Sequence, residues 1–116
     1  MKENYQNIRK AKAIEQQNKQ KLLAVNPKLD DESGIYFLTR EDENGIKYAY
    51  IGQAKHLLTR LAQHLSGYQH IDLSLKKHGM FSEGNMYGWN INFMHYPENE
   101  LDEHEQFWIK RYAKSG

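Results

Sequence analysis

The feature that most constrains the fold is a charged turn between two short runs rich in strand-forming residues. Residues 34–40 and 46–52 are rich in Ile and Tyr, and the segment between them contains an Asn44-Gly45 pair. An Asn-Gly pair flanked by such runs is the strongest short-range signal for a β-hairpin. The sequence therefore predicts two antiparallel strands joined by a tight turn.

The register of this hairpin decides whether Tyr36 and Tyr50 lie on the same face of the sheet. A two-residue turn at the Asn-Gly pair would place Thr39 opposite Tyr50. Because side chains alternate along a strand, Tyr36 and Tyr50 would then point to opposite faces. If both tyrosines belong to one site, a bulge or an odd-length loop must shift the pairing by one residue. We predict that shift.

Propensity and periodicity predict four helices and a third strand. The helices are predicted over 4–24, 55–66, 69–78 and 100–114, and the strand over 87–96. A leucine stripe on the second helix faces the core. In the strand, apolar Trp89, Ile91 and Phe93 alternate with small or polar residues, so one face is buried. Asn99 is expected to cap the last helix, and Ser82–Asn85 is expected to be flexible.

Charge is unevenly distributed along the 116 residues. Residues 1–29 carry seven Lys or Arg and two Asp or Glu, whereas residues 30–116 carry nine and thirteen. We therefore divide the chain into a basic, helical N-terminal extension over 1–29 and a single folded domain over 30–116. The helix of the extension is poorly amphipathic. It is interpreted either as a solvated, partly frayed extension or as a basic arm that lies along a phosphate backbone.

Several classes of protein are disfavoured by composition. The chain has no cysteine, which excludes disulfides, thiolate zinc sites and cysteine nucleophiles. Its histidines lack the spacing of a zinc site, and its scattered glycines form no phosphate-binding fingerprint. No apolar run approaches the ~20 residues of a membrane span, and the N-terminus lacks the apolar core of a signal peptide. A cytoplasmic protein without a membrane partner is expected.

Glu105 is the most unusual residue of the sequence, because it lies in the apolar stripe of the helix predicted over 100–114. Leu101, Trp108 and Tyr112 form that stripe. A buried, unpaired carboxylate costs several kcal/mol, so Glu105 needs a partner. The partner is either a salt bridge or hydrogen bond, from an arginine or a tyrosine hydroxyl, or a hard metal ion.

Arg60 and His64 fall one turn apart on the same side of the helix predicted over 55–66. One interpretation is an exposed polar pair at the rim of the core stripe. Beside a carboxylate, Arg60 could instead bind a phosphate oxygen, and His64 could accept or supply a proton near neutral pH. Tyr36 and Tyr50 are ordinary strand residues, but a desolvated phenol beside a cation can act in proton transfer.

Taken in order along the chain, these segments resemble the GIY-YIG endonuclease family. The similarity rests on Gly34-Ile35-Tyr36, on Tyr50-Ile51-Gly52, on Arg60 ten residues after Tyr50, on His64 one turn further, and on Glu105-Gln106-Phe107-Trp108-Ile109. Lys77-His78-Gly79 also resembles the end of the middle helix of the family. The resemblance covers about residues 33–113.

The resemblance implies an α+β fold, in which a small three-stranded antiparallel sheet is flanked by helices. It also implies hydrolysis of phosphodiester bonds in DNA with one divalent cation, Mg²⁺ or Mn²⁺. Tyr36 would be the general base or a proton relay, Tyr50 would assist near the nucleophile, and Arg60 would hold the scissile phosphate. His64 would support proton transfer, and Glu105 would bind the metal.

Two departures from the family pattern are visible. The interval between the two tripeptides is slightly longer than usual, which is a turn insertion. The family often carries an Asn beyond its last helix, and no Asn follows Asn99 here. This departure, together with the acidic folded portion, keeps a second interpretation open, a non-catalytic nucleic-acid-binding or interaction module. Specificity is expected to come from an additional domain or protein partner.

Overall fold

The chain forms four helices and three strands in the part that the computed structural model describes, residues 2–114, with side chains from residue 7 to residue 113. In chain order these are α1 (Lys2–Val25), β1 (Gly34–Glu41), β2 (Lys47–Ala54), α2 (Leu57–Ser66), α3 (His70–His78), β3 (Asn90–His95) and α4 (Leu101–Lys114). A short 3-10 helix (Glu98–Glu100) precedes α4. The strands form one antiparallel sheet in the order β2-β1-β3. The predicted α+β fold is confirmed.

The hairpin loop has three residues rather than two. The backbone N–H of Asp42 donates to the carbonyl of Ile46 at 2.9 Å, and Gly45 N–H donates to the carbonyl of Asp42 at 3.0 Å. Gly45 has φ of +79°, a left-handed conformation that favours glycine. The Asp42 carboxylate also accepts hydrogen bonds from the backbone N–H groups of Asn44 and Ile46. The Asn-Gly pair thus marks the turn, and the loop length is set by its closure between residues 42 and 46.

This odd loop length produces the predicted one-residue shift. Leu38 pairs with Tyr50, and Tyr36 pairs with Gly52. Tyr36 and Leu38 are two residues apart on β1, so their side chains lie on the same face as Tyr50. Both tyrosines therefore point toward the same side of the sheet, and the prediction is confirmed.

Helices cover both faces of the sheet. On the first face, Tyr36 and Leu38 pack with buried residues of α1, α2 and α3. On the second face, Ile35 and Phe37 pack against Leu101 and Trp108 of α4. Because β1 is the central strand and is buried on both sides, its residues 35–38 are all apolar or aromatic.

The strand predicted over 87–96 is shorter, and the segment before it is held by hydrogen bonds. Trp89 bridges to Met80 instead of extending β3. Ser82 and Asn85 exchange backbone hydrogen bonds of 3.2 and 3.0 Å, and the Asn85 amide donates to the carbonyls of His78 and Met80. The expectation of a flexible stretch at Ser82–Asn85 is therefore wrong, because the Asn85 side chain ties this turn to the end of α3.

Two helix termini also differ from expectation. The helix predicted to begin at residue 55 begins at Leu57. Asn99 does not cap α4, since it lies inside the preceding 3-10 helix. The first residue of α4, Leu101, instead follows directly on that turn, and its backbone N–H donates to the carbonyl of Glu98.

The N-terminal helix is packed in its second half and exposed in its first half. Leu22 is buried, and the buried Asn18 amide donates to the carbonyl of Ala62 on α2 at 3.1 Å. The interpretation of a wholly solvated extension is therefore wrong for the second half. Residues 7–14 are all exposed, as that interpretation expects. None of the described helices has the length and apolar character that a membrane span requires.

Candidate active site

Gly52 allows the phenol of Tyr36 to lie across β2. A Cβ atom at position 52 would overlap the hydroxyl and neighbouring ring carbons of Tyr36. The Tyr36 side chain is 2% exposed, and its ring centroid lies 6.3 Å from that of Tyr50 in a stacked arrangement. Tyr36 and Tyr50 therefore form one aromatic pair, and Gly52 leaves the space that the Tyr36 ring occupies.

His64 connects this pair to the third helix. Its Nε2 atom lies 2.7 Å from the Tyr36 hydroxyl, and its Nδ1 atom lies 2.5 Å from Oδ1 of Asp72. The His64 side chain is 1% exposed. The interpretation of His64 as an exposed rim residue is therefore wrong, because both of its ring nitrogens are used in buried hydrogen bonds.

Asp72 is the member of this arrangement that sequence reasoning missed. It belongs to a capping box at the start of α3, in which its second oxygen accepts a hydrogen bond from the backbone N–H of Gln69 at 3.0 Å. A side chain at Gly67 would overlap that same oxygen. The three-residue spacing from Gln69 to Asp72 is that of a capping box, but Gln69 stands where Ser or Thr is usual. Nothing local in the sequence indicates that the other oxygen reaches His64.

Arg60 lies one helical turn before His64, where its guanidinium contacts the Gln63 side chain at 3.3 Å. Its positive charge acts on both Tyr36 and His64. The pKa of Tyr36 is raised well above its usual value, first by burial and then by the neighbouring Tyr50, while the charge and hydrogen bonding of Arg60 oppose this shift. At neutral pH the phenol is therefore protonated.

Burial also controls the protonation of His64. Loss of hydration lowers the pKa of His64, and the Arg60 charge acts in the same direction, while the hydrogen bond and charge of Asp72 oppose them. The net direction is downward, so the imidazole is neutral near pH 7. A protonated phenol thus faces a neutral imidazole.

Glu105 lies on α4, which a hydrogen bond of 2.6 Å from the Gln53 side chain to Asp102 ties to β2. The Glu105 side chain is half-buried, and its negative charge contributes to raising the pKa of Tyr36. Within residues 7–113, no side chain forms a hydrogen bond or ion pair with it. The interpretation of a structural salt bridge or tyrosine hydrogen bond therefore finds no partner in the described part of the chain. A half-exposed carboxylate suits a hard divalent cation, which binds oxygen ligands and keeps several waters.

A separate group of possible metal ligands lies at the start of β1 and the end of β3. Asp30, Glu32 and His95 place one ligand atom each within 4.8 Å of one another. His95 Nε2 lies 2.8 Å from Oδ1 of Asp30, and this hydrogen bond is the main cause that lowers the pKa of Asp30. These residues are partly or largely exposed. The group shares no residue with the predicted site, and histidine spacing alone does not reveal it because Asp30 and His95 are 65 positions apart.

The structure brings four of the five predicted residues together on the first face of the sheet, whereas Glu105 lies on α4, which packs against the second face. Tyr36 comes from β1, Tyr50 from β2, Arg60 and His64 from α2, and Glu105 from α4. Tyr50 stacks on the Tyr36 ring and His64 is hydrogen-bonded to its hydroxyl. Arg60 acts on Tyr36 through its charge, and Glu105 does so most weakly.

Comparison with known proteins agrees with this arrangement. The family model described as "GIY-YIG catalytic domain" matches residues 32–116. No curated protein and no solved structure matches the chain. The family is a family of nucleases, generally endonucleases that act on DNA and typically use divalent metals. Since the match covers most of the chain and includes every residue of the predicted site, the chain belongs to the GIY-YIG catalytic domain family.

Proposed function

We propose that the protein is a divalent-metal-dependent endonuclease that hydrolyses phosphodiester bonds in DNA. The observation that supports the proposal is the placement of His64, Tyr50 and Arg60 around the buried phenol of Tyr36. The Tyr36 hydroxyl is hydrogen-bonded to His64 and lies beside Tyr50. Arg60 and Glu105 act on it with opposite charges. Such clusters of perturbed ionisable groups occur preferentially at functional sites.

Tyr36 and His64 together supply the general base. A buried phenol with a raised pKa does not lose its proton to water at neutral pH. The Nε2 atom of a neutral His64, 2.7 Å away, provides a local acceptor for that proton. Tyr36 can then take a proton from the attacking water, a step that typically contributes about 10²–10⁴-fold to the rate. Tyr50, whose ring stacks on Tyr36, assists by hydrogen bonding near the nucleophile.

Arg60 is assigned to the scissile phosphate. The guanidinium is permanently charged and matches phosphate oxygens with paired donors. It stabilises the negative charge that develops on the phosphate as the water attacks. Its contact with the Gln63 side chain is long, at 3.3 Å, and is therefore readily exchanged for a phosphate.

Glu105 is assigned as the metal ligand, with one Mg²⁺ or Mn²⁺ ion per site. When bound, such an ion supplies Lewis-acid stabilisation of the phosphate and leaving oxygens. The carboxylate fits this role because it is half-buried, lacks a partner among the described residues and lies close enough to Tyr36 for its charge to be felt there.

The proposed partners are DNA, with RNA as the second candidate substrate, and an additional domain or protein that supplies specificity. We propose a cytoplasmic location, in keeping with the cysteine-free sequence. No membrane partner is part of the proposal.

A plasmid-nicking assay with Mg²⁺ or Mn²⁺ tests this function. The variant Glu105→Ala should lose nicking, because it removes the assigned metal ligand. The matched control is Glu103→Ala, which deletes an exposed carboxylate on the same helix and should nick at the wild-type rate. Unchanged nicking by Glu105→Ala would show that the metal assignment is wrong.

A second candidate function is a non-catalytic nucleic-acid-binding module, which the exposed first half of α1 favours. Lys10 and Lys12 lie in that half, and both are exposed. This function expects DNA binding that weakens steeply with salt, because binding to phosphates releases counterions. The double variant Lys10→Gln/Lys12→Gln should flatten the salt dependence while α1 stays packed through Asn18 and Leu22. Metal-dependent nicking by the wild-type protein would reject this candidate in favour of the first.

A further inference from the structure

Asp72 is a buried carboxylate with no role in the steps described above. It is 4% exposed, and each of its oxygens has its own partner. Oδ1 lies 2.5 Å from Nδ1 of His64, and Oδ2 accepts the backbone N–H of Gln69 at 3.0 Å. An ionised carboxylate can only accept hydrogen bonds, so the Nδ1 atom of His64 must be the one that carries the proton.

This bond determines what His64 presents to Tyr36. A neutral imidazole protonated at Nδ1 has its lone pair on Nε2, the atom 2.7 Å from the Tyr36 hydroxyl. The phenol then donates and the imidazole accepts. In the opposite tautomer the Nδ1 lone pair would face the Asp72 carboxylate at 2.5 Å, and Nε2 would have no capacity to accept a proton.

We propose that Asp72 is a positioning residue that fixes the tautomer of His64, so that Nε2 can accept the Tyr36 proton during phosphodiester cleavage. This inference rests on the proposed function. In the step itself, the Tyr36 proton moves to His64 Nε2, and Tyr36 takes a proton from the attacking water. The water oxygen forms the new bond to phosphorus, and the bond to the leaving oxygen breaks with its electron pair. The leaving oxygen takes a proton from solvent, and the His64 imidazolium later returns one.

Asp72 keeps its hydrogen bond from Nδ1–H throughout and lowers the energy of the imidazolium that forms. The same division of roles, in which a buried carboxylate orients a histidine without accepting its proton, operates in Ser-His-Asp hydrolases. The charged or ionisable groups that face His64 are Tyr36 from β1, Tyr50 from β2, Arg60 from its own helix and Asp72 from α3. Of these, Asp72 accepts a hydrogen bond from Nδ1, the ring nitrogen that does not face Tyr36.

The variant Asp72→Asn separates orientation from packing, because it changes one oxygen into an NH₂ group without changing the shape of the side chain. The backbone N–H of Gln69 needs an acceptor, so the Asn oxygen is expected to take the place of Oδ2, and the NH₂ group then faces His64. A donor at that position favours the Nε2–H tautomer. Nicking should therefore fall by about 10²-fold or more, the usual contribution of general base catalysis.

The ¹⁵N NMR signals of the His64 ring report the tautomer independently of activity. The wild-type protein should show a protonated Nδ1, and Asp72→Asn should show a protonated Nε2. The control is Gln69→Ala, which removes the other half of the same capping box and leaves both Asp72 oxygens intact. It should lower the melting temperature but keep the wild-type tautomer and nick within about twofold of the wild-type rate, a change too small for the loss of a general base.

A wild-type His64 protonated at Nε2, or Asp72→Asn that nicks at the wild-type rate, would overturn the inference. Wild-type protein that does not nick DNA would contradict the proposed function instead. In that case the NMR signals of His64 still decide whether Asp72 sets the tautomer.

Discussion

The substitution Gly52→Ala tests whether the space above β2 is what places the Tyr36 phenol. The added methyl group would overlap the Tyr36 hydroxyl and neighbouring ring carbons. Those atoms belong to a side chain that is 2% exposed and held by His64, so they cannot swing freely into solvent. Overpacking of this kind typically costs about 1–3 kcal/mol. At about 3–6 °C per kcal/mol for a domain of this size, the melting temperature should fall by roughly 3–18 °C.

The rate of nicking should fall by more than the loss of folded protein can explain. The clash displaces the phenol from the Nε2 atom of His64 and disrupts the proton relay, so nicking should decrease by about 10²-fold or more. Thermal denaturation followed by circular dichroism and plasmid nicking at 25 °C measure the two effects separately.

Gly84→Ala provides the control, because no atom lies within 4 Å of a Cβ built at that position. It should be neutral or stabilise the protein by up to about 1 kcal/mol. The clash also has a specific partner, so Gly52→Ala should cost much less in a Tyr36→Leu background, where the overlapping ring atoms are gone. Equal costs in the two backgrounds would refute the steric reasoning.

Three further predictions concern protonation, packing and metal binding. Burial lowers the pKa of His64, so the unfolded imidazole, with a pKa of about 6.5, binds a proton more readily than the folded one. The unfolding free energy is therefore at its full value above about pH 6.5 and decreases as the pH falls toward the folded pKa. Urea denaturation between pH 7.5 and 5.5 should show this decrease, and a variant His64→Gln with the same pH dependence as wild type would contradict it. Asn18→Ala should destabilise the protein by about 1–2 kcal/mol, because it removes the buried hydrogen bond from the Asn18 amide to the carbonyl of Ala62. A loss below about 0.3 kcal/mol would mean that α1 is not held at this point. Mg²⁺ should raise the melting temperature by binding to the folded state, with a stabilisation of about 2.7 kcal/mol at a hundredfold excess over Kd. This rise should be smaller in Glu105→Ala. An equal rise in the variant would mean that the ion binds elsewhere.

The sequence predicts the hairpin because turn chemistry is local, whereas the shifted register does not follow from local physics. Turn chemistry places the loop at Asn44-Gly45, and the period of two along a strand links the facing of Tyr36 and Tyr50 to the loop length. The one-residue shift follows from assuming a common site for the two tyrosines. The structure supplies its cause, the closure between Asp42 and Ile46.

The burial of His64 and the role of Asp72 could not be predicted in the same way. Helical periodicity places His64 at the edge of a leucine stripe, where burial and exposure are both compatible with the pattern. Which of the two occurs depends on α3 packing beside α2 and bringing Asp72 to within 2.5 Å of the ring. From the sequence alone, Asp72 would be interpreted only as part of a helix cap. A local pattern cannot reveal that its second oxygen has a tertiary partner.

For the N-terminal helix, the sequence predicts the secondary structure but not the packing. Its composition predicts a helix correctly, but its low amphipathicity favours a solvated extension. Buried Asn18 and Leu22, together with partly buried Leu23, attach its second half to the core and to α2. Periodicity is a weak guide here because these few apolar positions do not form a clear stripe along the helix.

The measurement that tests the central claim most directly is the rate of plasmid nicking by Tyr36→Phe relative to wild type in Mg²⁺ or Mn²⁺. This substitution removes one oxygen atom and keeps the ring that fills the space above Gly52. If the Tyr36 hydroxyl is the centre of the site, nicking should fall by about 10²–10⁴-fold while the circular dichroism spectrum stays that of the folded protein. Nicking at the wild-type rate would contradict the account.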